Sequence, residues 1–366
     1  MPPPRIAING RFLTQRASGV QRFAMEAIKA IDALLDRDYA ALKGQITIFA
    51  PRQARDFPLK NIPLQRVGFS SGYAWEQFEF PFHAAGRLLL NLCMLGPLVT
   101  RHQLVVVHDA TVRALPDNFS PRFRAAYGFL LPRLCRRAEQ PMTVSEFSRQ
   151  EIGKWYGADI ARMPVCFEGG DHITSVAADP SVLRRLGLTG RKFFLGVGVD
   201  SANKNIATVV AAFHKLKLDD TVLVLTGAND PKVFGKIERV DSSGVRMVGF
   251  VPDADLRTLY EHALALVFPS FYEGFGLPPL EAMTCGCPVI ISEQPALIEV
   301  CGDAALRCRA EDTDAIAQYM QALHDDDALR ARLAAAGKAR ARGFTWDATA
   351  RSLLDHCLAI GARRAA

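Results

Sequence analysis

Five short aliphatic-rich runs recur through the second half of the chain: FFLGVG (193–198), TVLVLTG (221–227), VRMVGFV (245–251), ALVFPS (265–270) and PVIISE (288–293). A helix-length stretch separates each from the next. Apolar runs of this length suit strands covered on both faces, and the intervals suit crossover helices, so the pattern predicts a parallel sheet between helical layers. In the first half, RIAIN (5–9), QITIFA (45–50), LVVVHD (104–109) and MTVS (142–145) read as strands of the same kind. With 366 residues, 49% of them hydrophobic, the chain exceeds what one core usually fills. The expected fold is therefore α/β, with two Rossmann-like domains facing across a cleft. The divide is placed in EGGDHITSVAADP (168–180), where glycines and a proline interrupt the pattern. This gives domains over 1–175 and 176–345, and a C-terminal helix over 346–366 that packs back on the first domain.

Composition narrows the function classes. The eight cysteines form no C-x-x-C pair and no early apolar segment resembles a signal peptide, which argues against disulfide and zinc frameworks and for a cytoplasmic setting. The longest apolar run, LLLNLCMLGPLV (88–99), is too short to span a bilayer and contains Gly96 and Pro97. A soluble or peripheral protein is expected. Residues 1–170 hold 22 Lys+Arg against 14 Asp+Glu, whereas residues 171–366 hold 22 against 24. The basic first half suits an anionic surface or substrate. No zinc-finger spacing or aromatic-basic RNA motif accompanies that charge, so no nucleic-acid partner is expected.

The stretch SFYEGFGLPPLEAMTCGCPVI (270–290) carries the most chemistry. After the run ALVFPS, Gly274 and Gly276 let backbone amides approach a ligand, and Pro278 or Pro279 suits a first helical turn. A helix start with open amides and a positive dipole favours a phosphate or diphosphate. Glu281 is expected in that first turn. An ionised carboxylate only accepts hydrogen bonds, so a vicinal diol such as a ribose is its natural partner. Glu273 is placed to hold hydroxyls of whatever the diphosphate carries. The bland alternative is that Glu281 complements the helix dipole and Glu273 is solvated.

This segment resembles the nucleotide-sugar motif of family-4 retaining glycosyltransferases with the GT-B fold, in which two glutamates are separated by seven residues. The resemblance implies that Glu281 binds the nucleotide ribose, Glu273 contacts the donor sugar, and the amides of Gly274, Phe275, Gly276 and Leu277 contact the phosphates. A second match is LGVGVDSANKNIATVVAAF, where a helix beginning near Asn203 would carry Lys204 at its start. A lysine there neutralises diphosphate oxygens as they depart. The family commonly has arginine and lysine together here; Asn203 stands where the arginine is often found.

Three N-terminal segments extend the resemblance. His108, at the end of LVVVHD, resembles the family's histidine that reaches the donor sugar, although a histidine at a strand end is more often a packing residue. Gly19, in INGRFLTQRASGVQRFAMEAI, resembles the first-loop glycine beside the phosphates or the acceptor; a plain turn glycine is the alternative. YAWEQFEFP (73–81) is similar to a motif of polysaccharide-assembling members, which offers Trp75 and Glu76 to an acceptor or Trp75 to the core. In TVSEFSRQEI, helix capping by Ser145 is the simpler role. PRFRAAYGFLLPRLCRR (121–137) interleaves five arginines with apolar residues, as a helix on its sheet or as a contact with anionic membrane.

The expected function is a retaining glycosyltransferase of bacterial surface-polysaccharide assembly, working without metal or other cofactor. It would move a sugar, GDP-mannose being the best donor guess, to a saccharide or lipid-linked saccharide acceptor at the inner face of the cytoplasmic membrane. The nucleotide base is expected near Gly249, Phe250 and Val251. Three other readings stay open: glycoside hydrolysis by the paired glutamates, a sugar-nucleotide epimerase of the same plan, and a non-catalytic nucleotide-sugar-binding protein. The D-x-D triplets at 36–38, 253–255 and 312–314 would suit metal-dependent transfer, but all fall at helix ends where aspartates serve as caps.

Overall fold

The computed structural model describes residues 3–16, 18–198, 201–227 and 244–365. The chain divides into two units, Met1–Gly169 with Trp346–Ala366, and Gly170–Thr345. The N-terminal unit holds six strands: β1 (Ile6–Asn9), β2 (Ile46–Ala50), β3 (Leu64–Arg66), β4 (Leu88–Asn91), β5 (Gln103–Val106) and β6 (Gln140–Met142). They form one sheet in the order β3-β2-β1-β4-β5-β6, with every pairing parallel. The second unit repeats the plan with β7 (Lys192–Val197), β8 (Thr221–Thr226), β9 (Val245–Gly249), β10 (Leu266–Phe268), β11 (Val289–Ser292) and β12 (Leu306–Cys308). Its order is β12-β11-β10-β7-β8-β9, again all parallel. The expected α/β architecture of two parallel sheets with helices is therefore present.

Burial explains why the runs are apolar throughout. β1, β2, β4 and β8 are buried along their whole length, so neither face of the pleat admits a solvated side chain. The run LLLN at the head of the long apolar segment is β4, the central partner of β1. Among the described residues no helix is long and apolar enough to cross a membrane. MTVS departs from expectation: the strand is Gln140–Met142, Thr143 makes a single bridge to Val165, and Ser145 already caps a helix by accepting from Ser148 N–H at 3.0 Å. The cap ends the strand early, because Ser145 turns the chain into Glu146–Tyr156.

The helices pack by their apolar stripes. Gly19–Leu34 buries Phe23, Ala27 and Ile31 together with Ala24 and Ile28, spacings of one helical face. Phe23, Ile28 and Ile31 each contribute about 1.5–3 kcal/mol by leaving water. Trp346–Ala365 lies in the same unit, where Trp346 meets Phe23 edge-on at 5.7 Å and Asp355 accepts from the Tyr39 hydroxyl at 2.6 Å. Pro121–Arg137 buries Tyr127, Leu131, Leu134 and Cys135 and leaves Arg122, Arg133, Arg136 and Arg137 outside, the arrangement of a helix on its sheet. In the second unit, Phe194, Leu223, Leu225, Val267 and Ile290 from the sheet meet Met320 from Thr313–Asp325.

In each sheet the strand order reverses once, between β1 and β4 and between β10 and β7. Open parallel sheets bind ligands beyond the carboxyl ends of strands at such reversals.

Candidate functional site

In the second unit, the segments that leave β7 and β10 at the reversal are bound to one another. After β7 the chain makes a 3-10 turn, Ala202–Lys204, and only then the helix Ile206–Leu216. The helix expected from Asn203 thus starts later, because Asn205 adopts φ +55° and separates turn from helix. Val199 and Asp200 of this loop lie outside the described residues. Asn203 fastens the two segments: its Nδ2 donates to Tyr272 O at 2.9 Å, and its carbonyl accepts from Phe271 N–H at 2.8 Å. Buried Asn205 adds bonds to Pro269 O (3.2 Å) and Ala310 O (2.7 Å).

This fastening brings Lys204 against Glu273. The ammonium lies 2.6 Å from Glu273 Oε1 and 4.7 Å from the centroid of the Phe268 ring. Ser270 Oγ donates to the same carboxylate oxygen at 2.5 Å, and Gln294 Nε2 donates to the Glu273 carbonyl at 3.2 Å. Both protein donors converge on Oε1, while Oε2 takes none among the described residues. The carboxylate is thus oriented by one oxygen and can offer the other to a hydroxyl. The lysine, with three N–H groups, keeps donors beyond the one given to Glu273.

The helix after β10 is Leu277–Cys285, capped by Gly276 at φ +110° and closed by Gly286 at φ +82°. A Cβ at Gly276 would stand 2.6 Å from Leu297 Cδ2, so both conformation and space require glycine. Pro278 and Pro279 have no N–H, which leaves Leu277 as the lone amide of the first three helical positions. The amides of Gly276 and Leu277 have no protein acceptor among the described residues. Phe275 is buried and meets Phe344 edge-on at 6.0 Å, so of the turn Gly274–Leu277 it is backbone that is on offer.

Glu281 occupies the second turn of this helix, not the first: the helix opens at Leu277, one residue before the prolines, and its first turn holds no acidic residue. The side chain is buried between two partners the sequence did not reveal. Tyr260 Oη donates to Oε2 at 3.0 Å, and His172 Nε2 lies 3.0 Å from Oε1. Burial, with Glu281 beside it, pushes the Tyr260 phenol well above its ordinary value, so it remains a donor. Gly170 lets the segment carrying His172 approach the helix; a Cβ there would come within 2.7 Å of Leu280 Cγ. Gly249 ends the edge strand β9 at φ +68°, Phe250 is exposed and Val251 half-buried.

In the N-terminal unit, His108 is buried. Its Nε2 donates to Leu92 O at 2.8 Å, its Nδ1 lies 3.7 Å from Glu168 Oε1, and Phe23 meets the ring edge-on at 4.8 Å. The Leu92 bond requires the proton on Nε2, since a carbonyl only accepts. Gly19 is the first residue of its helix, and a Cβ there would meet nothing within 4 Å. Ala17, just before it, lies outside the described residues. Trp75 does not face an acceptor: it is fully buried, stacked on Phe80 at 5.3 Å, with Nε1 donating to Val67 O. Glu76 is buried too.

The aspartates of the D-x-D triplets are engaged locally. Asp36 pairs with Lys43 and Lys60, Asp38 with Arg351, Asp255 with Arg185 and Asp314 with Lys215, while Asp312 accepts from Ala315 N–H.

Residues 183–340 match the family described as Glycosyl transferases group 1, a stretch containing Lys204, Glu273, Glu281 and the Gly276 turn. The chain carries a domain of this family. A glycosyl transferases group 1 assignment agrees with a similar protein, O-antigen chain mannosyltransferase B of Escherichia coli, which is 36% identical over 251 residues, 66% of each chain. The chain spans just under two thirds of this relative and 58% of another O-antigen mannosyltransferase. Among solved structures, sucrose-phosphate synthase from Thermosynechococcus elongatus superposes with TM-score 0.74 at 19% identity, over 98% of this chain and 99% of that one. WaaG, described as a glycosyltransferase involved in lipopolysaccharide biosynthesis, gives TM-score 0.72 at 18% identity, over 96% and 99%. The fold is GT-B.

Proposed function

We propose that this chain is a hexosyltransferase, with GDP-mannose the best donor candidate, that extends a saccharide or lipid-linked saccharide in bacterial surface-polysaccharide assembly. The observation that carries the reading is the pairing of Lys204 with Glu273 at the strand-order reversal, next to the open amides of Gly276 and Leu277. In this reading the diphosphate is held by that one cation and those two amides, with Glu273 Oε2 and Glu281 as acceptors for hydroxyls of sugar and ribose. The sequence similarity to an O-antigen mannosyltransferase supports mannose and polysaccharide over other sugars and settings.

In this reading Lys204 stabilises charge on the departing diphosphate, while Asn203 supplies no charge and fastens the two loops. Glu273 and Glu281 hold the donor's hydroxyls, and backbone at Gly249–Val251 meets the base. Transfer with retention then has a balanced form: the acceptor hydroxyl bonds to the anomeric carbon, the bond from that carbon to the diphosphate breaks, and the acceptor proton passes to a diphosphate oxygen on the same face. The basic N-terminal unit is assigned the acceptor. His108, anchored by its Nε2–H, keeps only Nδ1 for a role beyond packing. A cytoplasmic location at the membrane's inner face fits such an acceptor, and no resident metal or cofactor enters the scheme.

A panel of nucleotide sugars, each incubated with lipid-linked and free saccharides, tests the proposal. Saturable release of nucleoside diphosphate with an extended product supports transfer. Isomerised donor without extension identifies an epimerase, and binding without turnover a sugar-nucleotide-binding protein; either result overturns it.

A further inference from the structure

We propose that the N-terminal unit contains a saccharide subsite at its own strand-order reversal, in which the Tyr73 ring provides the stacking face, the Arg11 guanidinium provides donors, and Glu76 holds Arg11 in position. The transferase reading is needed only to call the bound sugar the acceptor.

The observations begin with a buried polar network where β1 and β4 end. Asn9 Nδ2 donates to Glu76 Oε1 and to Asn91 Oδ1, each at 2.9 Å, and Asn91 Nδ2 donates to Gln103 Oε1 at 3.0 Å. Arg11 Nε donates to Glu76 Oε1 at 2.8 Å. Arg11 is 6% exposed and Glu76 1%. A buried ion pair is a poor source of stability, because the cost of desolvating both charges offsets most of their attraction. What it does supply is direction.

Three features carry the inference that this direction serves a ligand. Glu76 stands in a π-helical turn, Trp75–Glu79, a rare geometry that recurs at functional sites. Its Oε2 is buried and has no donor among the described residues, so the carboxylate is held by one oxygen in a costly position. Finally, with Nε committed to Glu76, the two Nη groups of Arg11 have no protein acceptor among the described residues, and the guanidinium lies 4.8 Å from the centroid of the Tyr73 ring. Tyr73 is 39% exposed, so part of its ring is open to solvent.

An aromatic ring with a planar group of donors over one face can take the C–H face of a pyranose on its other face, while hydroxyl oxygens reaching past the ring edge accept from the guanidinium. The segment YAWEQ therefore serves the sugar through Tyr73, and its Trp75 and Glu76 support from within. Glu76 is a positioning residue, since it acts through Arg11.

The test measures acceptor KM, donor KM and calorimetric nucleoside-diphosphate affinity for Arg11→Lys, Tyr73→Ala, Tyr73→Phe and Glu76→Gln, with melting temperature as a check on folding. Arg11→Lys, Tyr73→Ala and Glu76→Gln are expected to raise acceptor KM about tenfold, the effect of one good contact. Donor KM and nucleotide affinity stay within about twofold in all of them. Tyr73→Phe, which keeps the ring, stays near wild type in acceptor KM. An unchanged acceptor KM in folded Tyr73→Ala, or a parallel fall in nucleotide affinity, overturns the proposal. Saturation-transfer NMR with a panel of hexose disaccharides needs no donor. Signals present in the wild type and lost in Tyr73→Ala uphold the subsite even if no nucleotide sugar turns over, in which case the transferase reading alone falls. Equal signals in both proteins, or none from the wild type, sink the subsite.

Discussion

Replacing Lys204 by Met separates the ion pair seen in the structure from the diphosphate contact proposed for the same ammonium group. The Lys204–Glu273 pair is closed at 2.6 Å, with side chains 16% and 12% exposed. An exposed pair contributes about 0–1 kcal/mol, and breaking a fully buried one costs about 3–5 kcal/mol, so this mostly buried pair should cost about 2 kcal/mol. For a unit of this size that lowers the melting temperature by about 4–8 °C. Independently, a lost hydrogen bond from a charged group to the diphosphate removes about 1.5–3 kcal/mol, which weakens nucleoside-diphosphate binding by about 10–150-fold. Adding Glu273→Gln removes the orphaned carboxylate. The double variant should therefore regain most of the melting temperature and none of the affinity. Calorimetric titration of nucleoside diphosphate beside a thermal melt reads both. Affinity unchanged by Lys204→Met, or regained with stability in the double variant, would refute the reasoning.

Gly276→Ala places a side chain at φ +110° against Leu297 and should destabilise the unit by about 1–3 kcal/mol, with nucleotide affinity falling as the Gly276 and Leu277 amides shift; a melt and a titration at wild-type values would count against the tight turn. Tyr260→Phe removes a donor from buried Glu281 and should weaken a complete nucleotide more than inorganic pyrophosphate, since the loss falls on the ribose side; equal weakening of the two ligands would be the wrong outcome. Seven of the eight free cysteines are buried, and burial pushes thiols such as Cys135, Cys166 and Cys301 up to about 12. At pH 8 a thiol reagent should react quickly with Cys93 at most and with all eight after denaturation, whereas several fast thiols in the native protein would contradict this packing.

The sequence made the parallel sheets legible because strands buried on both faces must be apolar throughout, as β8 is. The same property hid β4, whose residues merge with irregular apolar chain up to Val99, and LQR at the edge, where a three-residue strand with two exposed positions carries no pattern. Lys204, Glu273 and the glycine turn stand out locally because they follow strands. Their supports do not: Asn205 bonds Ala310, 105 positions away, and His172 meets Glu281 across a similar span. Periodicity holds no record of such pairs. The shift of Glu281 into the second turn follows from a smaller cause, a helix that opens on Leu277 and not on either proline.

The most direct measurement is a crystal structure with a nucleoside diphosphate bound. The account predicts diphosphate oxygens within hydrogen-bond distance of Lys204 Nζ and of the Gly276 and Leu277 amides, with the ribose hydroxyls on Glu281. A nucleotide bound elsewhere, with Lys204 still closed on Glu273 and that turn empty, would contradict it.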